Sequence, residues 1–251
     1  MCTVLLAYQA HPRYRLILAA NRDEFYQRPT AAAGYWGDAA KIFAGRDLVH
    51  GGSWLGVTTT GRIAALTNYR QAEQPGRHGL SRGHLVSEYL GGETAAQLYL
   101  AELRDKARAY RGYNLLLGDA DRLYCYSNKN DDMVSIAPGI HGLSNHLLNT
   151  PWPKVERGKE ALCRLLAAGD FSLEDLFAIL ADRTRAPDAE LPDTGVGLEL
   201  ERALSSIFIA GERYGTRSSS ILLVDRERRA TFVERSFDGG ARDTKVRFDW
   251  S

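Results

Sequence analysis

The chain has 251 residues, 44% of them hydrophobic, which suffices for an extensive core and fits one domain spanning 1–251. Thirty-two Lys and Arg against 31 Asp and Glu leave a net charge of +1 without long runs, which argues against broad electrostatic binding of nucleic acid or membrane surfaces. Cys2, Cys125 and Cys163 are too few and too scattered for a disulfide framework or a CxxC metal pair. They suit a reducing interior. With no basic leader and no run of about 18 apolar residues, the sequence reads as cytoplasmic, without a membrane span.

Residues 3–9 and 15–20 are β-prone runs on either side of His11-Pro12-Arg13, where proline breaks the backbone. A turn centred near Pro12 makes opposed residue numbers sum to about 24, so antiparallel pairing sets Cys2 opposite Arg22. Asn21, Arg22 and Asp23 then arrive beside the chain terminus. If Met1 is removed, Cys2 carries a thiol and a free α-amine together, and an amine of pKa roughly 8 can take the thiol proton without a histidine. The rival reading of Cys2 is a small hydrophobe that begins a buried strand.

Residues 54–59 and 62–67 around Thr60-Gly61 predict a second hairpin, ending at Asn68. After a polar loop at 71–79, Ser81 caps a helix running to Leu90, and residues 94–110 predict a longer one. Strand character returns at 113–118 and 122–127 around Asp119-Ala120-Asp121, then at 133–136 and at 140–143, leading to Ser144-Asn145. Helical composition occupies 153–168 and 172–182, the latter capped by Ser172. The Pro- and Gly-containing stretch at 186–197 predicts a mobile surface loop bordering a pocket, and 218–224 with 230–234 predict a last hairpin. This order fits an α+β fold, either a four-layer αββα sandwich of two antiparallel sheets flanked by helices or one large sheet with helices.

Met1-Cys2-Thr3 with Asn21-Arg22-Asp23-Glu24 closely resembles the NRDE proteins, the transport and Golgi organisation family. Gly51-Gly52-Ser53-Trp54-Leu55-Gly56-Val57, Leu66-Thr67-Asn68-Tyr69-Arg70, Gly142-Leu143-Ser144-Asn145 and Tyr214-Gly215-Thr216-Arg217-Ser218 extend the resemblance over nearly the whole chain. More distantly the chain is similar to N-terminal-nucleophile hydrolases of the penicillin V acylase and bile salt hydrolase group, which implies the αββα sandwich. In that group an Asn-x-Asp sequence ends the second strand near the N-terminal Cys, as Asn21-Arg22-Asp23 does here. Asn68 and Asn145 resemble its two active-site asparagines, and Arg235 its later arginine. One departure is Ala20, where those hydrolases carry an arginine; the adjacent Arg22 supplies a cation from a different direction.

The resemblance implies that Cys2 attacks an amide or related carbonyl and that Asp23 orients the terminal amine. Asn145 is the expected oxyanion donor, with Asn68 donating from the other side. Arg22 and Arg235 bind a substrate carboxylate or phosphate or, on the rival reading, form surface ion pairs, and Asn21 secures strand-end backbone groups. The rival for Asp23 is a solvated ion pair with Arg22. Trp54 and Tyr69 either line an apolar pocket or belong to the core, while Cys125 and Cys163 pack within a strand and a helix. None of the six histidines shows HExxH or paired Cys/His spacing, so no metal and no cofactor is expected. The leading function is hydrolysis of a small acylated molecule. The second is a non-enzymatic carrier or chaperone for haem, acyl-coenzyme A or a lipid-like ligand, with His50 or His146 as the candidate haem ligand. The glutaminase part of an amidotransferase is weaker, because such proteins usually begin Met-Cys-Gly and carry a synthase domain that is missing here.

Overall fold

The computed structural model describes residues 2–72 and 79–250, so most of the expected loop at 71–79, together with Met1, falls outside the described residues. The first hairpin forms from β1 (Cys2–Tyr8) and β2 (Tyr14–Phe25), and its register sets Cys2 opposite Arg22 and Val4 opposite Ala20. Both strands are apolar on both faces. Val4, Leu6, Leu16 and Leu18 face the opposing sheet, while Leu5, Ala7, Ile17 and Ala19 face helices, which is why the runs read as continuous rather than alternating.

The chain then makes β3 (Thr30–Trp36) and β4 (Ala39–Asp47), a hairpin that hydrophobic patterning does not announce because Ala and Gly dominate it and two irregularities interrupt its register. The expected second hairpin is present as β5 (Leu55–Thr58) and β6 (Ile63–Asn68). Next come α1 (Gly83–Gly91) and α2 (Ala96–Lys106), then β7 (Tyr113–Gly118), β8 (Leu123–Ser127), β9 (Asp132–Ser135) and β10 (Gly139–Leu143). The expected Ser81 cap is not made: Arg82 holds the N-cap position of α1 without a side-chain bond, and the backbone of Gly83 packs closely on Gly52.

The second helical layer is α3 (Pro153–Ala167) and α4 (Leu173–Leu180), the latter with a full capping box between Ser172 and Asp175. Unanticipated α5 (Leu198–Ala203) comes after the loop at 186–197. The chain ends in β11 (Tyr214–Asp225), β12 (Arg229–Ser236) and β13 (Arg242–Asp249). The last strand escapes prediction because its charged, exposed residues suit a sheet edge rather than a core strand.

The strands form two antiparallel sheets, ordered β10-β1-β2-β11-β12-β13 and β3-β4-β5-β6-β7-β8-β9. A core built on Leu6, Leu18, Phe43, Val57, Leu116 and Phe232 fills the space between them. A second apolar layer packs α1 and α2 on the outside of the seven-stranded sheet, and a third packs α3 and α4 on the six-stranded one. The result is the four-layer αββα sandwich, and one large sheet is excluded. Cys125 is buried in β8 as expected, whereas Cys163 is exposed on α3 because its helix position faces away from the sheet.

Trp54, at the start of β5, depends on one close backbone approach. A Cβ added at Gly45 on β4 would lie 2.2 Å from the Trp54 ring, so only glycine lets that indole lie across the strand. Gly45→Ala is expected to lower stability by about 1–3 kcal/mol through overpacking, measured by urea unfolding. An unchanged midpoint would show that Trp54 has room to move.

Candidate functional site

Cys2 opens β1 at the end of the six-stranded sheet, half-buried, with the hydroxyl of Ser144 donating to its carbonyl oxygen at 3.1 Å. The Asp23 backbone N–H donates to its thiol. Burial pushes the Cys2 thiol above its ordinary pKa, the Asp23 carboxylate adds to that rise and Arg22 opposes it. Arg22, buried in the next strand, lies 4.0 Å from the Trp54 ring centroid and donates to Thr30 Oγ1 at 3.1 Å. The ring holds the guanidinium beside the thiol without neutralising it.

Asp23 is 1% exposed, so the solvated strand-end position that would suit a surface ion pair with Arg22 does not exist. An irregularity in β11 between Thr216 and Ser218 brings Thr216 Oγ1 to donate to Asp23 Oδ1 at 2.7 Å. Tyr214 donates to the Asp23 carbonyl at 3.0 Å. Burial pushes the Asp23 carboxyl above the usual carboxylate range, while the amino terminus, Lys154 and the Thr216 hydroxyl pull it back.

Asn21 faces the helical layer. Its amide donates to the carbonyls of Leu180 and Ile207 at 2.8 and 2.9 Å and accepts from Ser219 at 2.6 Å. It therefore ties β2 to the segments beside it. Asn145 is fully buried and donates from Nδ2 to the Asn68 carbonyl at 2.9 Å, while its main-chain carbonyl accepts from Arg70 N–H at 2.7 Å. Asn68 itself faces the cleft. Arg235 is not brought to this cluster: on β12 it is bound by Asp243 at 2.8 Å and Glu174 at 2.6 Å, its guanidinium over the Phe177 ring.

Three further charged residues lie here: Arg70, which ends the Leu66-Thr67-Asn68-Tyr69-Arg70 motif, and Glu201 and Lys154, which no sequence motif singles out. Arg70 and Glu201 form a buried ion pair at 2.5 Å, with Arg70 stacked 4.5 Å from the Trp152 ring centroid and Glu201 also accepting from Thr194 N–H at 3.0 Å. That bond pins the segment before α5 to its own helix. Lys154, at the start of α3, is 1% exposed, and burial pushes its ammonium pKa down to about 7. A lysine in a helix's first turn opposes the helix dipole, and that was the available signal.

Two adjoining cavities open on the cluster. The smaller, about 280 Å³, is lined by Cys2, Arg22, Asp23, Trp54, Asn68 and Arg82, among others. The larger, about 870 Å³, is mainly apolar, with Phe25, Tyr69, Leu200, Leu204 and Ile209 in its wall. Glu24, Arg28, Asn68, Arg82 and Arg111 border both. Burial lowers Arg82 to about 10, and Arg111 adds to that shift. Val196, from the loop at 186–197, borders the larger cavity. His50 lines the smaller one, whereas His146 packs between Tyr69 and Trp152 and bonds Thr150 Oγ1 at 2.9 Å. Among the described residues no three His, Cys, Asp or Glu side chains are grouped to hold a metal ion.

A family model described as "Transport and Golgi organisation 2" matches residues 1–239. The chain is 37% identical to the Transport and Golgi organization protein 2 homolog of Bos taurus, covering 95% of this chain and 94% of that one. It is 36% identical to the Homo sapiens homolog, with 94% and 93% covered. Among solved structures it is similar to a mutant conjugated bile acid hydrolase from Clostridium perfringens, at TM-score 0.56 and 9% identity, covering 98% of this chain and 92% of that one. That likeness is one of fold, the N-terminal-nucleophile hydrolase sandwich. Arg70→Met is expected to cost about 3–5 kcal/mol by stranding the Glu201 carboxylate, checked by equilibrium unfolding. A loss below about 1 kcal/mol would mean that water or a rearranged neighbour replaces the guanidinium.

Proposed function

The chain belongs to the Transport and Golgi organisation 2 family, and from that premise we propose that it is an N-terminal-cysteine hydrolase of a small acylated molecule. After removal of Met1, the Cys2 sulfur attacks an amide or related carbonyl carbon and its proton passes to the α-amine. The tetrahedral intermediate expels the leaving group, which takes that proton, and water then hydrolyses the thioester. Asp23 orients the amine. Asn68, fixed through its carbonyl by Asn145, donates to the oxyanion, and Arg22 meets a negatively charged substrate group. The observation that carries this reading is the convergence of Cys2, Asp23 and Asn68 on one cleft that adjoins an apolar cavity of about 870 Å³, room for an acyl chain.

Free Cys2, Cys125 and Cys163 support placement in the cytoplasm, and among the described residues no helix is long and apolar enough to cross a membrane. Two observations favour the second reading, carriage of haem, acyl-coenzyme A or a lipid-like ligand without turnover. Cys2 is not among the residues lining the larger cavity, and burial disfavours its thiolate. Haem spectral titration and acyl-coenzyme A calorimetry with Cys2→Ala separate the two, since carriage survives that change.

For hydrolysis, a panel of fatty and amino-acid amides and thioesters is expected to yield a substrate whose turnover Cys2→Ala abolishes. Asp23→Asn should lower kcat/KM by about 10²- to 10⁴-fold. Full turnover by Cys2→Ala would overturn the reading.

A further inference from the structure

Lys154 has no part in the proposed hydrolysis, yet its placement is costly. Its Nζ is buried and makes no hydrogen bond to the protein, although a lysine head normally reaches water. The helix geometry explains where that head lies. A Cβ at Gly158 would stand 2.7 Å from Leu5 Cδ2, so α3 rides directly on β1 at Leu5. Lys154 is one turn earlier on the same buried face, two residues past the N-cap Trp152 whose ring carries Arg70, and helical side chains lean toward the N-terminus, so its stem is directed toward the Arg70 end of the helix. The charged groups acting on it come from four elements: Cys2 on β1, Asp23 on β2, Arg70 beyond β6 and Glu201 on α5.

Two side-chain cations and two carboxylates thus share this buried volume with the amino terminus, which acts on Asp23 ahead of Lys154, and Arg70 is committed to Glu201, bonded at 2.5 Å. Of the groups that favour the Lys154 ammonium, Asp23 acts most strongly, ahead of Cys2 and Glu201. We infer that Lys154 is a positioning residue of the Cys2 site: its ammonium is a buried counter-ion of Asp23 and acts on the nucleophile through that carboxylate. The ammonium favours the charged carboxylate, and the charged carboxylate is the form that can orient the Cys2 amine. Lys154 touches neither substrate nor the reacting atoms. The inference rests on the hydrolase reading for its consequence but is measurable without turnover.

The experiment labels the protein with ¹³C at aspartate carboxyls and follows Asp23 by NMR in wild type, Lys154→Met and Lys154→Arg. Loss of the cation is expected to move the Asp23 titration up by about one pH unit, and Lys154→Arg to restore it. The acid limb of kcat/KM should move up with it, which a merely structural lysine would not cause. An unchanged Asp23 titration in folded Lys154→Met overturns the inference. Should that variant not fold, the reciprocal measurement in Asp23→Asn decides: the Lys154 ammonium titration falls by a comparable amount if the two are paired, and stays put if they are not. Coupling between the two residues without turnover of any substrate would count against hydrolysis and leave the pair standing, whereas turnover with an uncoupled Lys154 would remove this inference alone.

Discussion

The register between β1 and β2 is the constraint on which the site depends. Because side chains alternate across a strand, setting Cys2 opposite Arg22 determines what the thiol faces, and a slip of one residue would turn the thiol to the other side of the sheet. Burial enforces that register from both faces, since Leu6 and Leu18 belong to the inter-sheet core while Leu5 and Ile17 belong to the helical layer. Asn21 adds a polar lock, bonded to the main chain at Leu180 and Ile207. Structural support and site geometry are thus set by consecutive residues of one strand.

Around that strand the protein gathers charge where water is scarce. Asp23 and Glu201 are set against Arg70 and Lys154, all buried, and burial shifts Asp23, Arg70 and Lys154 toward their neutral forms. Replacing such groups by apolar residues often stabilises a fold, so their presence points to function more than to stability. Arg22 belongs to the same logic: stacked on Trp54, it supplies a cation beside Cys2 although the nearby Ala20 carries none.

Legibility from the sequence tracks the physics of each element. The first hairpin and its register are readable because Pro12 marks its turn and the strands are rich in Val, Leu and Ile, although β2 runs on to Phe25, past the apolar run that announces it. The hairpin of β3 and β4 is not, since Ala and Gly carry little strand propensity and its register is irregular. β13 is hidden by its charges, and the Arg82 cap by the close Gly52 and Gly83 contact, which no local pattern encodes. In the site, Cys2, Arg22, Asp23 and Asn68 come to one cleft. Asn145 stands behind it as support for Asn68, and Arg235 sits elsewhere, engaged by Asp243 and Glu174. Lys154 and the Arg70–Glu201 pair depend on packing between distant segments, so single-strand reasoning could not find them.

Mass spectrometry of the purified chain treated with an electrophilic acyl analogue decides whether Cys2 acts as a terminal nucleophile. A terminal nucleophile gives a chain lacking Met1 whose single acyl adduct maps to Cys2 and is absent from Cys2→Ala. A chain that keeps Met1, or an adduct on Cys125 or Cys163 with Cys2 unmodified, rules that role out.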